Sequence, residues 1–140
     1  MGVLKESTVL VIEDDDRVRT LLRDILVFGG YRVVEAADGR SGMRCLQEGD
    51  LIDLVLTDLG MPEMNGWEVA RITKQKVPHL PVILITGWRL SLDEKKVKES
   101  GIDWIIGKPF QVNDILETAG LLLLRDVKRI GRLLLSSPLL

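Results

Sequence analysis

A doubly wound α/β domain, with five parallel strands alternating with five helices, is the fold class that this 140-residue chain predicts, and three observations predict it. Short, β-branched apolar runs recur near 8–13, 31–36, 53–57, 81–86 and 103–107, the length and composition of buried strands. Between them lie segments whose apolar residues repeat at i, i+3, i+4 and i+7, the period of a helix with one buried face. The strand runs are nearly continuous in apolar residues rather than alternating. That pattern fits a parallel sheet covered by helices on both faces and joined by right-handed crossovers.

Each element has its own justification. The first strand, Val9-Leu10-Val11-Ile12, stops abruptly in Glu13-Asp14-Asp15-Asp16. Asp16 and Arg17 read as cap and first turn of a helix whose apolar face is Val18, Leu21, Leu22, Ile25 and Leu26. After the second strand, Asp38 opens a helix expected to end at Gly49, in which Cys45 reads as a small helix hydrophobe. The third strand runs into Asp58, and Trp67, following Gly66, reads as a packing residue of the third helix. Pro78 and Pro81 bracket the entry to the fourth strand, with His79 an exposed loop residue at that entry end; the strand closes on Thr86-Gly87. Ser91-Leu92-Asp93-Glu94 reads as a capping box for a fourth helix closed by Gly101. The fifth strand ends in Lys108-Pro109, and Val112, Ile115, Leu116, Ala119, Leu122 and Leu123 mark the last helix.

Residues 1–124 are thus expected to form the domain, and 125–140 a basic amphipathic extension of the last helix or a frayed tail. There Arg125, Lys128, Arg129 and Arg132 fall on one side at helical spacing, and Val127, Ile130, Leu133 and Leu134 tend to the other. A helix for a partner or a second copy, or a weak membrane contact, is the alternative use of such a stretch. Gly120 and Gly131 each weaken a helix by about 1 kcal/mol relative to alanine.

Composition limits the function. An apolar content of 46% excludes a disordered chain, and no uncharged apolar stretch approaches the ~20 residues that span a bilayer. The formal net charge of −2, from 19 basic and 21 acidic residues, gives no overall electrostatic reason to bind nucleic acid. Cys45 is the only cysteine, so an intramolecular disulfide is excluded. The N-terminus has no signal-peptide core and carries Glu6 where a myristoylation motif needs Ser or Thr; a cytoplasmic protein is expected.

The acids carry the chemistry. Adjacent carboxylates raise one another's pKa, so a run of four either splays into water or holds a hard cation with oxygen ligands. In a doubly wound sheet the functional crevice lies outside the carboxyl ends of the strands. Glu13, Asp14 and Asp15 arrive there from the first strand, Asp58 from the third, Thr86 and Gly87 from the fourth and Lys108 from the fifth. This set suits phosphoryl transfer, which needs a nucleophile, a metal, a fixed cation and hydrogen-bond donors. Glu13 and Asp14 would hold Mg²⁺, Asp58 would be the nucleophile, Lys108 would pair with Asp58 and then with a phosphoryl oxygen, and Thr86 would donate its hydroxyl. Gly87 leaves the approach open.

The combination Glu13-Asp14-Asp15, Asp58-Leu59-Gly60-Met61-Pro62-Glu63-Met64-Asn65-Gly66, Thr86-Gly87 and Lys108-Pro109-Phe110 resembles the receiver domain of two-component response regulators, over residues 8 to about 124. The resemblance implies a flavodoxin-like, CheY-like sheet of strand order 2-1-3-4-5. It also implies phosphorylation of Asp58 by a phosphohistidine on a histidine kinase or histidine phosphotransfer protein, slow self-catalysed hydrolysis, and control of a partner or output. Such a domain catalyses only its own phosphorylation and dephosphorylation. By the same likeness, the Gly60 carbonyl joins Glu13, Asp14 and Asp58 as a ligand of Mg²⁺, or of Mn²⁺ in its place, with Asp15 and Pro109 in support. Trp88, two residues past Thr86, has the bulk to shield an acyl phosphate from water. Receivers usually carry an aromatic residue three before the lysine, and Ile105 stands there, beside Trp104, which puts the usual switch in doubt. The segments 86–88 and 101–110 look most like receivers attached to sensor kinases. A dimer through the last strand–helix face or the C-terminal tail is a further expectation.

Three rival functions meet obstacles in the residues. An aspartyl phosphatase of the haloacid dehalogenase type needs a second acid two residues after the nucleophile, where this chain has Gly60. A flavin carrier of similar fold needs a glycine- and hydroxyl-rich loop after the first strand, where this chain has acids that repel phosphate. A pseudo-receiver that only binds partners is disfavoured because no site residue is missing.

Overall fold

The computed structural model describes residues 6–48, 51–87 and 92–135, with 125–135 described as backbone alone. Five strands and five helices alternate: β1 (Thr8–Ile12), α1 (Asp16–Phe28), β2 (Arg32–Ala36), α2 (Gly39–Gln47), β3 (Leu54–Asp58), α3 (Gly66–Lys76), β4 (Val82–Thr86), α4 (Glu94–Ser100), β5 (Trp104–Gly107) and α5 (Val112–Leu135). All strand pairings are parallel, in the order β2-β1-β3-β4-β5, as the sequence reading expected. The order reverses between β1 and β3, which opens a crevice at their carboxyl ends. Ile12 pairs with Thr57 at that end, so the residues that follow, Glu13 and Asp58, emerge side by side.

Both faces of the sheet are buried, which explains the continuous apolar runs. Val9, Val11, Leu54, Leu56, Ile83 and Ile85 point to one side, where α1 and α5 cover them with Leu22, Ile25, Leu26, Ile115, Ala119 and Leu122. Leu10, Ile12, Val55 and Val82 point to the other, against Met43 of α2 and Val69 and Ala70 of α3. Half-buried Cys45 packs on this second core, and His79 is exposed at the entry to β4.

The amino ends of the strands are tied by side chains. The Thr8 amide donates to Asp53 Oδ2 at 2.8 Å, and the Asp53 amide returns a bond to the Thr8 carbonyl at 2.8 Å. Across the sheet, Asp103 Oδ2 accepts from the Val82 amide at 2.8 Å and from Lys74 Nζ at 2.6 Å, while Lys74 also donates to the Leu80 carbonyl. These bonds fix the pole opposite the crevice.

Three boundaries differ from the sequence reading. The cap of α1 is Asp15, whose Oδ1 accepts from the Arg17 and Val18 amides at 2.9 and 3.2 Å; Asp16 and Arg17 both belong to the first turn. α4 is capped by Asp93, which accepts from the Lys95 amide, rather than by Ser91, which lies outside the described residues. α2 opens on Asp38 as expected but ends at Gln47, two residues before Gly49, itself outside the described residues. Gly101 closes α4 in the left-handed conformation that glycine adopts freely, as expected. α5 runs unbroken through Gly120 and past residue 124 to Leu135.

Candidate functional site

Glu13 follows the last residue of β1, and its amide still bonds the Ala36 carbonyl of β2 at 3.1 Å. Its side chain is 1% exposed, yet both carboxylate oxygens are satisfied: Oε1 accepts from Lys108 Nζ at 3.0 Å and Oε2 from the Asp15 amide at 3.2 Å. Burial pushes the Glu13 carboxyl above the ordinary glutamate range, while the Asp15 amide and Lys108 pull it back and the neighbouring Asp58 charge raises it. Asp14, the next residue, is exposed.

Asp58 ends β3 with its side chain 11% exposed, 3.0 Å from Lys108 Nζ. Its backbone is set by the start of α3. A Cβ on Gly66 would stand 2.5 Å from the Asp58 carbonyl oxygen, and the Gly66 amide donates to the Leu59 carbonyl at 2.9 Å, so glycine lets the helix seat directly on the strand end. Asn65 caps α3 by accepting from the Glu68 amide. The connecting loop turns tightly, with bonds from Met61 N to Leu59 O and from Met64 N to Pro62 O around Gly60 and Glu63; Glu63 has φ 65°.

Lys108, 29% exposed, bridges Glu13 and Asp58. Burial alone would lower its pKa, but its hydrogen bonds to Asp58 and Glu13 and their charges outweigh that and hold it above the ordinary lysine range. It stays an ammonium. The sequence reading paired it with Asp58; the second bond, to Glu13, is added by the fold.

One carboxylate oxygen from each of Glu13, Asp14 and Asp58 can lie within 4.8 Å of the others. Three carboxyl groups thus face one ammonium. An all-oxygen set with that excess of acids fits a hard divalent cation such as Mg²⁺. Asp15 is spent on capping α1 and supports Glu13 through its amide rather than its carboxylate.

Asp58, Gly60, Thr86, Gly87 and Lys108 line a cavity of about 250 Å³, so the ends of β3, β4 and β5 converge as the sequence reading expected. Thr86 is buried and Gly87 exposed at its rim. Ile105 is half-buried on β5, in register with Leu84, and Trp104 beside it is half-exposed. Pro109 is exposed after a cis Lys108–Pro109 bond. Trp88 lies outside the described residues.

Two residues that the sequence does not place at the site lie beside it. Trp67, read as packing, is half-buried and lines a second cavity of about 410 Å³ with Leu59, Gly60, Asn65, Leu92, Asp93 and Lys96. Gly60 is common to both cavities. Arg19 reaches back from α1 to the Glu13 carbonyl at 2.8 Å. Its spacing from Asp16, i to i+3, was visible in the sequence; its contact with β1 was not.

Residues 9–120 match the response regulator receiver domain family. The chain belongs to that family. Among its relatives is the polar-differentiation response regulator DivK of Brucella ovis, 30% identical over 114 residues that cover 80% of this chain and 92% of DivK. Among solved structures, this receiver domain is similar to the CheY-like receiver domain protein of Methanospirillum hungatei, with a TM-score of 0.82 and 26% identity over 89% of this chain and 99% of that one. It is also similar to the response regulator TrrA of Thermotoga maritima, solved in complex with Mg²⁺ and BeF, with a TM-score of 0.76 and 27% identity over 83% of this chain and 98% of that one. Among the described residues of the receiver domain, no helix is long and apolar enough to cross a membrane.

Proposed function

We propose that this receiver domain accepts a phosphoryl group on Asp58 from a phosphohistidine of a histidine kinase or histidine phosphotransfer protein, in the cytoplasm. The observation that carries the reading is Asp58 itself: a strand-end carboxylate at the wall of a cavity, 3.0 Å from a fixed ammonium and within reach of two further acids.

An Asp58 oxygen forms a bond to phosphorus as the P–N bond breaks, and the released electron pair returns to the imidazole ring. Lys108 leaves its carboxylate partners for a phosphoryl oxygen, and the Thr86 hydroxyl donates to another. Gly87, without a side chain, leaves room for the donor. Glu13 and Asp14, with Asp58 and the Gly60 carbonyl, would hold Mg²⁺, for which Mn²⁺ can substitute. That cation, when bound, supplies neutralisation of the charge on the transferring group. Hydrolysis reverses the modification: water bonds to phosphorus, the acyl oxygen leaves with the electron pair, and the Asp58 carboxylate is restored. The domain is therefore a phosphoacceptor whose only catalysis is on itself. TrrA, similar in fold and solved with Mg²⁺ and BeF, supports the metal assignment.

A second copy as partner is supported by the exposed Trp104 on β5 and the exposed Leu121 and Leu124 on α5, which leave apolar surface on that face. Sedimentation of the protein with and without beryllofluoride tests it; a monomer in both conditions removes it.

Incubation with acetyl phosphate, followed by intact-mass spectrometry, tests the main reading. One added phosphoryl group, dependent on Mg²⁺ and absent in Asp58→Asn, is expected. Addition to Asp58→Asn at the wild-type rate, or none to the wild type, overturns it.

A further inference from the structure

The carbonyl of Glu13 stands where β1 leaves the sheet. The Glu13 amide completes the ladder to Ala36, while the carbonyl turns away from it and accepts instead from Arg19 Nη1 at 2.8 Å. Arg19 is anchored twice more. Its Nη2 donates to Asp16 Oδ1 at 2.5 Å in the first turn of α1, and its Nε faces Glu35 Oε1 of β2 at 3.5 Å. The side chain is only 17% exposed. One guanidinium thus joins the end of β1, the start of α1 and the neighbouring strand.

The peptide that Arg19 holds is the one between Glu13 and Asp14. Fixing its plane fixes the directions in which both acids leave the backbone. Arg23, one turn further along α1, makes a useful contrast. It pairs with Asp24 and Glu35 but contacts none of the acids of the site or their backbone.

We infer that Arg19 is a positioning residue for the cation site, orienting Glu13 and Asp14 through the Glu13 carbonyl. This rests on the reading that those acids hold Mg²⁺. The inference has a distinguishing sign. By Coulomb's law alone, removing a positive charge near a cation site tightens cation binding. Loss of positioning weakens it. Groups that orient metal ligands from behind typically change affinity by 10- to 100-fold when removed.

Calorimetric titration of the full chain with Mg²⁺, well below the melting temperature, separates the two. Arg19→Gln is expected to weaken Mg²⁺ binding about tenfold although it removes a cation. Arg19→Lys, which keeps the charge but puts its donors on one nitrogen instead of a planar fork, should fall between it and the wild type. Arg23→Gln, with the same change in charge, should leave affinity unchanged or slightly tighter. Phosphate uptake from acetyl phosphate should slow in Arg19→Gln at low Mg²⁺ and recover to within about twofold of wild type at saturating Mg²⁺, a split that general loss of structure does not produce. Should Arg19→Gln not fold, Arg19→Lys carries the test, with weaker binding expected. Equal or tighter Mg²⁺ binding in the Arg19 variants, or equal weakening in Arg23→Gln, overturns the inference and leaves the receiver reading standing. A wild type that binds no Mg²⁺ overturns both.

Discussion

A carboxylate at the end of a strand reacts with phosphorus only where its own charge and that of the incoming group are met by fixed cations and donors. Lys108 is such a cation, held at 3.0 Å from both Asp58 and Glu13. Removing one preorganised donor of this kind typically costs 10²- to 10³-fold in rate. Lys108→Met is accordingly expected to slow phosphate uptake from acetyl phosphate about a hundredfold at saturating Mg²⁺, followed by intact mass; an unchanged rate would remove Lys108 from the chemistry. Beyond the carboxyl end of β2, Asp38 caps α2, and the Ser41 amide it accepts from holds its carboxyl below the ordinary aspartate range. A group with a lowered folded pKa contributes stability above its unfolded pKa and loses that contribution as pH falls through the folded value. Asp38→Ala should therefore cost about 1 kcal/mol at neutral pH, and the difference from wild type in urea unfolding should shrink below the ordinary aspartate range. Glu13, Asp14, Asp58 and Lys108 are all legible in the sequence, because each lies within two residues of the end of an apolar run. Arg19 was not, since a side-chain bond to a carbonyl depends on where the fold brings β1 and β2. Nor could adjacent acids be told apart: which of Asp15 and Asp16 caps α1 is decided by which amides face which carboxylate.

At the scale of the elements, the site is aimed by helix starts and strand ends. α3 begins with Gly66 because its Cβ position is already occupied by the Asp58 carbonyl, the Leu59 backbone and the Leu84 side chain. Gly66→Ala must push α3 off the end of β3. A loss of about 2 kcal/mol in urea unfolding is expected, together with slower phosphate uptake in the molecules that remain folded. Unchanged stability and uptake would mean that the contact relaxes without moving Asp58. The glycine was visible in the motif, but its tight approach to Asp58 was not. Strand positions were legible to within a residue or so, because their apolar runs are short and sharply bounded. Helix ends were less so: Ser91 and Asp93 both offer a capping oxygen, and only the backbone path selects Asp93.

For the whole molecule, hydrophobic pattern sufficed for the class, since continuous apolar strands imply two covered faces. It did not contain the strand order, because every parallel arrangement of the same strands buries similar runs. The order was implied by the resemblance carried by the strand-end motifs, and the sheet bears it out. We propose residues 1–124 as the self-sufficient unit: Ile115, Ala119 and Leu122 already complete the core under α1 and α5. Deleting 125–140 should leave thermal stability within about 1 kcal/mol and phosphate uptake unchanged; a larger loss would make the extension part of the domain.

The central claim is that the acids of β1 serve a cation while the chemistry belongs to Asp58. Borohydride reduces an acyl phosphate to the alcohol, which converts a phosphorylated aspartate into homoserine. Protein treated with acetyl phosphate and Mg²⁺, reduced in this way and mapped by peptide mass spectrometry, should carry homoserine at position 58 alone. Homoserine at 14, 15 or 16, or none in protein that has demonstrably taken up phosphate, would contradict the account.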